Sequence, residues 1–175
     1  IAEAFIESPV PPKRSILFIN FAGEEKGLLG SSYYTSNPIF PLERIVADLN
    51  LDMIGRNDSS SVYIIGSNML SRDLHQFSED AANELGIIKL DYKYNSKDDP
   101  KRFYYRSDHY NFSKYNIPVI FYFAGLHEDY HRPTDTIDKI NFDKLSRVAK
   151  LAFVTGWKVA NADRRPQLTE LKAKK

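Results

Sequence analysis

The sequence predicts an α/β fold: a three-layer sandwich with a mostly parallel mixed sheet and helices on both faces. Three observations carry this expectation. Strand-like runs alternate with helix-like ones, the pattern of strands joined by crossover helices. Two of the runs, residues 15–21 (SILFINF) and 118–124 (PVIFYFA), are apolar almost throughout, which suits strands covered on both faces. The 175 residues are enough for one domain with a true core.

Residues 1–8 read as the end of an amphipathic helix. The stretch Ser8-Pro9-Val10-Pro11-Pro12 stops it, because a residue before proline is pushed out of the α region. Residues 15–21 form the first expected strand, and residues 28–35, after a glycine-containing turn, a short helix. Residues 45–54 (IVADLNLDMI) mix apolar and polar positions as a second strand, and residues 62–65 make a third. Leu70, Leu74, Phe77, Ala81 and Leu85 fall at helical spacing, with Gly86 as the stop. Residues 89–94 read as an edge strand and 96–102 (SKDDPKR) as a polar loop. After the apolar strand at 118–124, Leu145, Val148, Ala149, Ala152 and Phe153 mark a last helix with Asn141 as N-cap. Residues 162–175 are a polar, basic tail.

Composition narrows the function. Lys and Arg number 24 and Asp and Glu 23, a net charge of +1, so bulk charge does not point to nucleic acid. Hydrophobic residues at 42% exclude a disordered chain. No apolar run approaches the ~18 residues of a membrane-spanning helix. Cysteine is absent, which removes disulfides, thiol catalysis and cysteine-bound zinc. The sequence also lacks the G-x-S-x-G elbow, the P-loop and the G-x-G-x-x-G fingerprint.

Ligands of open α/β sheets bind beyond the carboxyl ends of the strands. The expected strands end on chemistry. After residues 15–21 come Glu24 and Glu25; the second strand runs into Asp52; after 118–124 comes a loop with His127, Glu128, Asp129 and His131. Carboxylates and imidazole together suit zinc or a similar ion. Each piece also has a plain reading. Glu24 and Glu25 equally suit a helix N-terminus. Asp52 lies in an apolar segment, where it needs a partner, and a structural ion pair supplies one as well as a metal does. His131 alone is an ordinary surface or capping histidine. Their convergence at strand ends favours a site.

His127-Glu128-Asp129-Tyr130-His131 matches H-E-x-x-H, which binds zinc only when it is helical. Gly125 before it and Pro133 after it oppose a helix, and position 134 is Thr rather than the Gly of the extended motif. Ser107-Asp108-His109 are contiguous, so their side chains diverge and do not form a proton relay. A structural or supporting role suits Asp108 and His109 better.

Four ordered motifs carry a resemblance: residues 20–31 (NFAGEEKGLLGS), 50–55 (NLDMIG), 106–112 (RSDHYNF) with Ile117-Pro118, and 130–136 (YHRPTDT). Together they resemble the co-catalytic dizinc aminopeptidases of metallopeptidase family 28, over residues 1 to about 160. The resemblance implies the zinc-exopeptidase fold and removal of N-terminal residues from peptide substrates. It implies Glu24 as general base, Glu25, Asp52 and His131 as zinc ligands, and Asp108, Tyr130 and Arg106 as supporting or pocket residues. His127 is not among the implied ligands. Two zinc ions are expected in the full-length protein.

The family pattern also has an upstream histidine and a bridging aspartate that residues 1–175 lack. Residues 1–161 are therefore expected to be the larger, C-terminal part of one catalytic domain. That part would be inactive alone and partnered by a missing N-terminal segment of the same domain. Family resemblance further implies export to the periplasm, surface or medium, and the balanced charge leads us to expect no nucleic-acid partner. Two alternatives on the same fold are a glutaminyl-cyclase-like acyltransferase with one zinc and a non-catalytic binding module.

Overall fold

The computed structural model describes residues 1–169. Four strands form one mixed sheet: β1 (Asp48–Leu51), β2 (Ser61–Ile65), β3 (Lys89–Asp91) and β4 (Val119–Phe123). Their order is β1-β4-β2-β3, with β1/β4 and β2/β3 parallel and β2/β4 antiparallel. Five helices surround it: α1 (Ala2–Ile6), α2 (Leu29–Ser36), α3 (Arg72–Leu85), α4 (His109–Ser113) and α5 (Phe142–Asn161).

The alternation of side chains along β4 builds two cores. Ile120 and Tyr122 face α3 and α5, meeting Leu74, Ala81, Val148 and Leu151. Val119, Phe121 and Phe123 face the other way, towards Tyr34 of α2 and Phe112 of α4. This gives the expected three layers. Every β4 residue is buried, the environment that its continuous apolar run demands. The two long helices carry the expected signals. Ser71 accepts from the Leu74 amide and Asn141 from the Lys144 amide, satisfying helix-start donors. Gly86 ends α3 in the left-handed conformation. Lys144 is buried, and its Nζ donates to the carbonyls of Asp58 (2.6 Å) and Ser61, pinning α5 to the entry of β2.

One expected element is corrected. Residues 15–21 form no strand: they make no ladder with any described residue, and Leu17 and Phe18 are half exposed. Composition alone promotes a strand only when a neighbour supplies the hydrogen bonds. The helix at the N-terminus is short, Ala2–Ile6, and seats Phe5 against Phe153 of α5 at 4.7 Å between ring centroids. The described part of the tail is tied down: Arg165 donates to the Glu43 and Ile45 carbonyls, and the Thr169 amide bonds the Leu70 carbonyl. The rest of the expected tail, residues 170–175, lies outside the described residues. Among the described residues no helix is long and apolar enough to cross a membrane.

Candidate metal and catalytic site

The site is built where β1 and β4 end. Asp52 directly follows β1, and its amide reaches the Tyr122 carbonyl of β4 at 3.4 Å. Its Oδ2 accepts from Ser107 Oγ at 2.8 Å, and Ser107 Oγ accepts from Asn50 Nδ2 at 2.8 Å. Asn50 and Asp52 lie two apart, so the β1 pleat turns both towards the start of α4, where Ser107 waits. This chain fixes one Asp52 oxygen, Oδ2. Burial raises the Asp52 carboxyl above its ordinary range, Glu25 adds repulsion, and the Ser107 bond opposes both.

Glu24 and Glu25 open a single 3-10 turn, Glu24–Lys26, entered through Gly23 at φ 70°. The turn is held by close backbone approach: the Gly30 amide donates to the Ala22 carbonyl at 2.9 Å, and a Cβ on Gly30 would stand 2.6 Å from that oxygen. Gly30→Ala is therefore expected to displace the Ala22–Glu25 turn and cost about 1–3 kcal/mol, the usual penalty for overpacking. A thermal melt beside Ser32→Ala, on the exposed side of α2, checks it; equal melting temperatures would contradict it.

The Glu24 carboxyl is pushed up to about 7, first by burial and then by Asp52, Glu25 and Asp108, with His131 pulling it back. Glu25 and His131 meet directly, Oε1 to Nε2 at 2.8 Å. The His131 backbone is left-handed (φ 57°), its ring stacks on Tyr130 at 3.8 Å, and Arg106 donates to the Tyr130 hydroxyl at 3.3 Å. The loop that presents His131 is latched from below. Asp129 is buried and accepts from Arg56 (2.6 Å) and Lys139 (2.6 Å), while Arg56 also grips Asp135. Those bonds hold the Asp129 carboxyl far below its ordinary range.

A cleft of about 800 Å³ joins these parts, lined by Glu24, Glu25, Asp52, Arg106, Tyr130 and His131. Apolar side chains, including Met53, Ile54, Phe123 and Leu126, line it too. Asp108 is buried at the start of α4, with Oδ1 unpartnered and its carboxyl raised by burial. The H-E-x-x-H stretch is a turn, not a helix. His127 Nε2 lies 3.8 Å from Asp135, whereas His131 Nε2 meets Glu25. His109 is sealed against Phe121 and held neutral by burial, its pKa lowered to about 3.

Ser107 and Asn50 lie within the motifs at residues 106–112 and 50–55, but their role in orienting Asp52 is not legible there. Asn50 has one signal for it, its place two positions before Asp52 on one face of a strand. The bond from Ser107 to Asp52 spans 55 positions, and no local spacing marks it.

The donor set suits zinc in kind: carboxylates crowd one mouth and repel one another, and an imidazole faces them. Among the described residues no three metal-capable side chains converge into a closed group. Glu25 and His131 form one pair of donors, and Asp52 stands apart on the Ser107 side.

Asp48, at the other end of β1, supplies a pH prediction. Its Oδ2 is sealed without a partner, and burial pushes the carboxyl up to about 7 from 3.8. Between those values the unfolded chain has released a proton that the folded chain keeps, so stability falls as pH rises. Asp48→Asn is expected to melt with the wild type below pH ~4 and above it from pH ~7 upward. Melting curves at the two pH values check this; a variant less stable at the higher pH would contradict it.

Comparison with known proteins gives a consistent picture. The model of peptidase family M28 matches residues 1–155. Aminopeptidase YwaD of Bacillus subtilis is 28% identical, over 94% of this chain and 37% of its own length. The solved structure of BSAP, a zinc aminopeptidase from Bacillus subtilis, superposes with a TM-score of 0.70 at 25% identity, covering 93% of this chain and 40% of that one. LapA aminopeptidase of Legionella pneumophila shares the fold, with a TM-score of 0.74 at 23% identity over 93% of this chain and 44% of its own. The chain thus spans about 40% of the length of the proteins it matches.

Proposed function

Because this chain belongs to peptidase family M28, we propose that it carries the catalytic base and three zinc ligands of an aminopeptidase that removes N-terminal residues from peptides. The observation that carries the reading is the meeting of Glu24, Glu25, Asp52 and His131 at one cleft mouth, from three separate parts of the chain. Glu25 and His131 would hold zinc on one side and Asp52 on the other, in a centre of two ions in the full-length protein. Zinc bound there would supply Lewis acidity, polarising the scissile carbonyl and lowering the pKa of water. Glu24 has the position and the basicity to take the water's proton and deliver it to the leaving amine; a base near 7 suits both transfers. Ser107 keeps Asp52 oriented, and the Arg56–Asp129–Lys139 latch keeps His131 facing the carboxylates. Tyr130 and Arg106 border the space where the peptide would lie, and Asp108 would act from behind the carboxylates, through its charge on Glu24 and Asp52.

We further propose that residues 1–175 alone bind zinc weakly and turn over little, since each ion would lack donors. An upstream segment of the same domain would supply them. We also propose an exported protein, acting on peptides and not on nucleic acid. The likenesses do not favour a glutaminyl cyclase or a binding module.

Mass spectrometry of a short peptide incubated with the natural protein tests the reading. Successive loss of single residues from the N-terminus is the expected result. Internal cleavage would contradict it, and loss of ammonia from an N-terminal glutaminyl peptide without hydrolysis would establish the cyclase instead.

A further inference from the structure

The near-neutral chain hides a local imbalance. Residues 89–115 hold seven Lys and Arg against four Asp, so this segment is net positive and the rest of the sequence net negative. Two of the four aspartates, Asp99 and Asp108, are buried. Between the end of β3 and the end of α4, Lys93, Lys97, Lys101, Arg102, Arg106 and Lys114 are all exposed. Among the described residues none of these six pairs with a carboxylate, whereas Lys13, Arg56, Lys139, Arg147 and Lys158 elsewhere all do. Arg106 and Lys114 donate to neutral oxygens, those of the Tyr130 hydroxyl and the Asn111 side chain.

Aromatic rings hold these cations instead. The Arg102 guanidinium stands 4.6 Å from the Tyr105 ring centre, Lys114 Nζ 4.6 Å from that of Tyr110 and Lys97 Nζ 6.0 Å from that of Tyr104. The three rings form one cluster, with Tyr105 centred 5.3 Å from Tyr104 and 5.1 Å from Tyr110. The charges thus gather round half-buried Tyr105, and Tyr105 and Arg106 line the cleft. A ring face positions a cation without neutralising it. The loop beneath is fixed. Asp99 gives one carboxylate oxygen to the Lys101 amide and the other to the Phe103 amide, and the Arg102 backbone is left-handed at φ 55°. A non-glycine residue keeps that conformation only where its surroundings impose it.

We propose that this tyrosine-backed cationic ridge recognises acidic peptides, holding carboxylates downstream of the N-terminus while the N-terminus enters the cleft. Its placement along the cleft rests on the peptidase reading; its affinity for carboxylates does not. Unpaired cations in pre-set positions complement an anion at little cost in ordering, and a guanidinium binds a carboxylate through two parallel hydrogen bonds. A single exposed ion pair contributes little, so recognition comes from several charges acting on one ligand. A peptide is favoured over other anions because the ridge continues into the cleft through Tyr105 and Arg106. A chain that enters the cleft by its N-terminus carries its later residues across the same rim.

Equilibrium binding tests this without turnover. Dye-labelled, N-acetylated peptides that differ only in carrying Glu, Gln or Lys at their downstream positions are titrated into the natural protein. The Glu peptide is expected to bind at least about tenfold tighter than the Gln peptide at low salt, the Lys peptide weakest, with the advantage shrinking as salt screens the charges. The combined variant Arg102→Asn, Lys97→Gln, Lys114→Gln is expected to lose the advantage at an unchanged melting temperature; Asn tolerates the left-handed backbone at position 102. Equal binding of the Glu and Gln peptides would overturn the proposal, and that comparison needs no variant. An advantage that survives in the folded variant would overturn it too, as would a single-stranded oligonucleotide or anionic lipid vesicles binding more tightly than the Glu peptide through the same three residues. The unblocked peptides then separate the ridge from the peptidase reading. Release of the N-terminal residue with kcat/KM at least about fivefold higher for the Glu peptide supports both, and release without that preference would contradict the ridge alone. Tight binding of the Glu peptide with no release would contradict the peptidase reading and leave the ridge standing.

Discussion

Glu24→Gln in the natural protein is expected to lower kcat by about 10²–10⁴-fold, the usual contribution of a positioned general base, with zinc content unchanged. Gln matches Glu in size and keeps an oxygen at the cleft, but it cannot take a proton. The setting of Glu24 explains the specificity of the effect. Burial and three neighbouring carboxylates raise its carboxyl to about 7, so as a base it holds a proton well enough to pass it on. Glu25, one residue away, faces His131 instead and has a different role. Steady-state kinetics with metal analysis on the same sample decides the matter. Full activity in the variant would remove Glu24 from the mechanism; lost zinc would make it a ligand rather than a base.

His131→Asn is expected to weaken zinc binding by more than about 100-fold, since disturbing even the residues behind a ligand costs 10–100-fold. Asn is chosen because it tolerates the left-handed backbone at this position, so strain does not account for the loss. The latch of Arg56, Asp129 and Lys139 lies outside the substitution and keeps the loop in place. The melting temperature without metal should therefore stay close to that of the wild type. Competition against a chromophoric chelator gives the affinity. Unchanged binding would show that His131 serves only as a partner for Glu25.

The strands and helices that make their own contacts within the chain were legible from residue pattern. The β4 run, the α3 spacing with its Gly86 stop and the Asn141 cap are local signals, and each appears where the pattern places it. Residues 15–21 show the limit. Their composition is that of a strand, but strand formation depends on a neighbour, and composition does not say whether one is present. The site divides in the same way. Carboxylates after strand ends are visible in the chain because the fold class itself assigns ligands to that side of the sheet. The hydrogen bond from Ser107 to Asp52 and the meeting of Arg56 with Asp129 join distant segments, and no spacing rule encodes them. The H-E-x-x-H stretch shows the converse: a local match with metal-site spacing whose flanking Gly125 and Pro133 accompany a turn that separates its two histidines.

The most direct test of the central claim is zinc-dependent release of an N-terminal residue. The natural protein, stripped with a chelator, is assayed on a short peptide with a free α-amine and on its N-acetylated form, before and after zinc is restored. The account predicts no release from the stripped protein, recovery with zinc, and cleavage of the free peptide alone. Equal hydrolysis of both peptides, or hydrolysis that persists in the stripped protein, would contradict it.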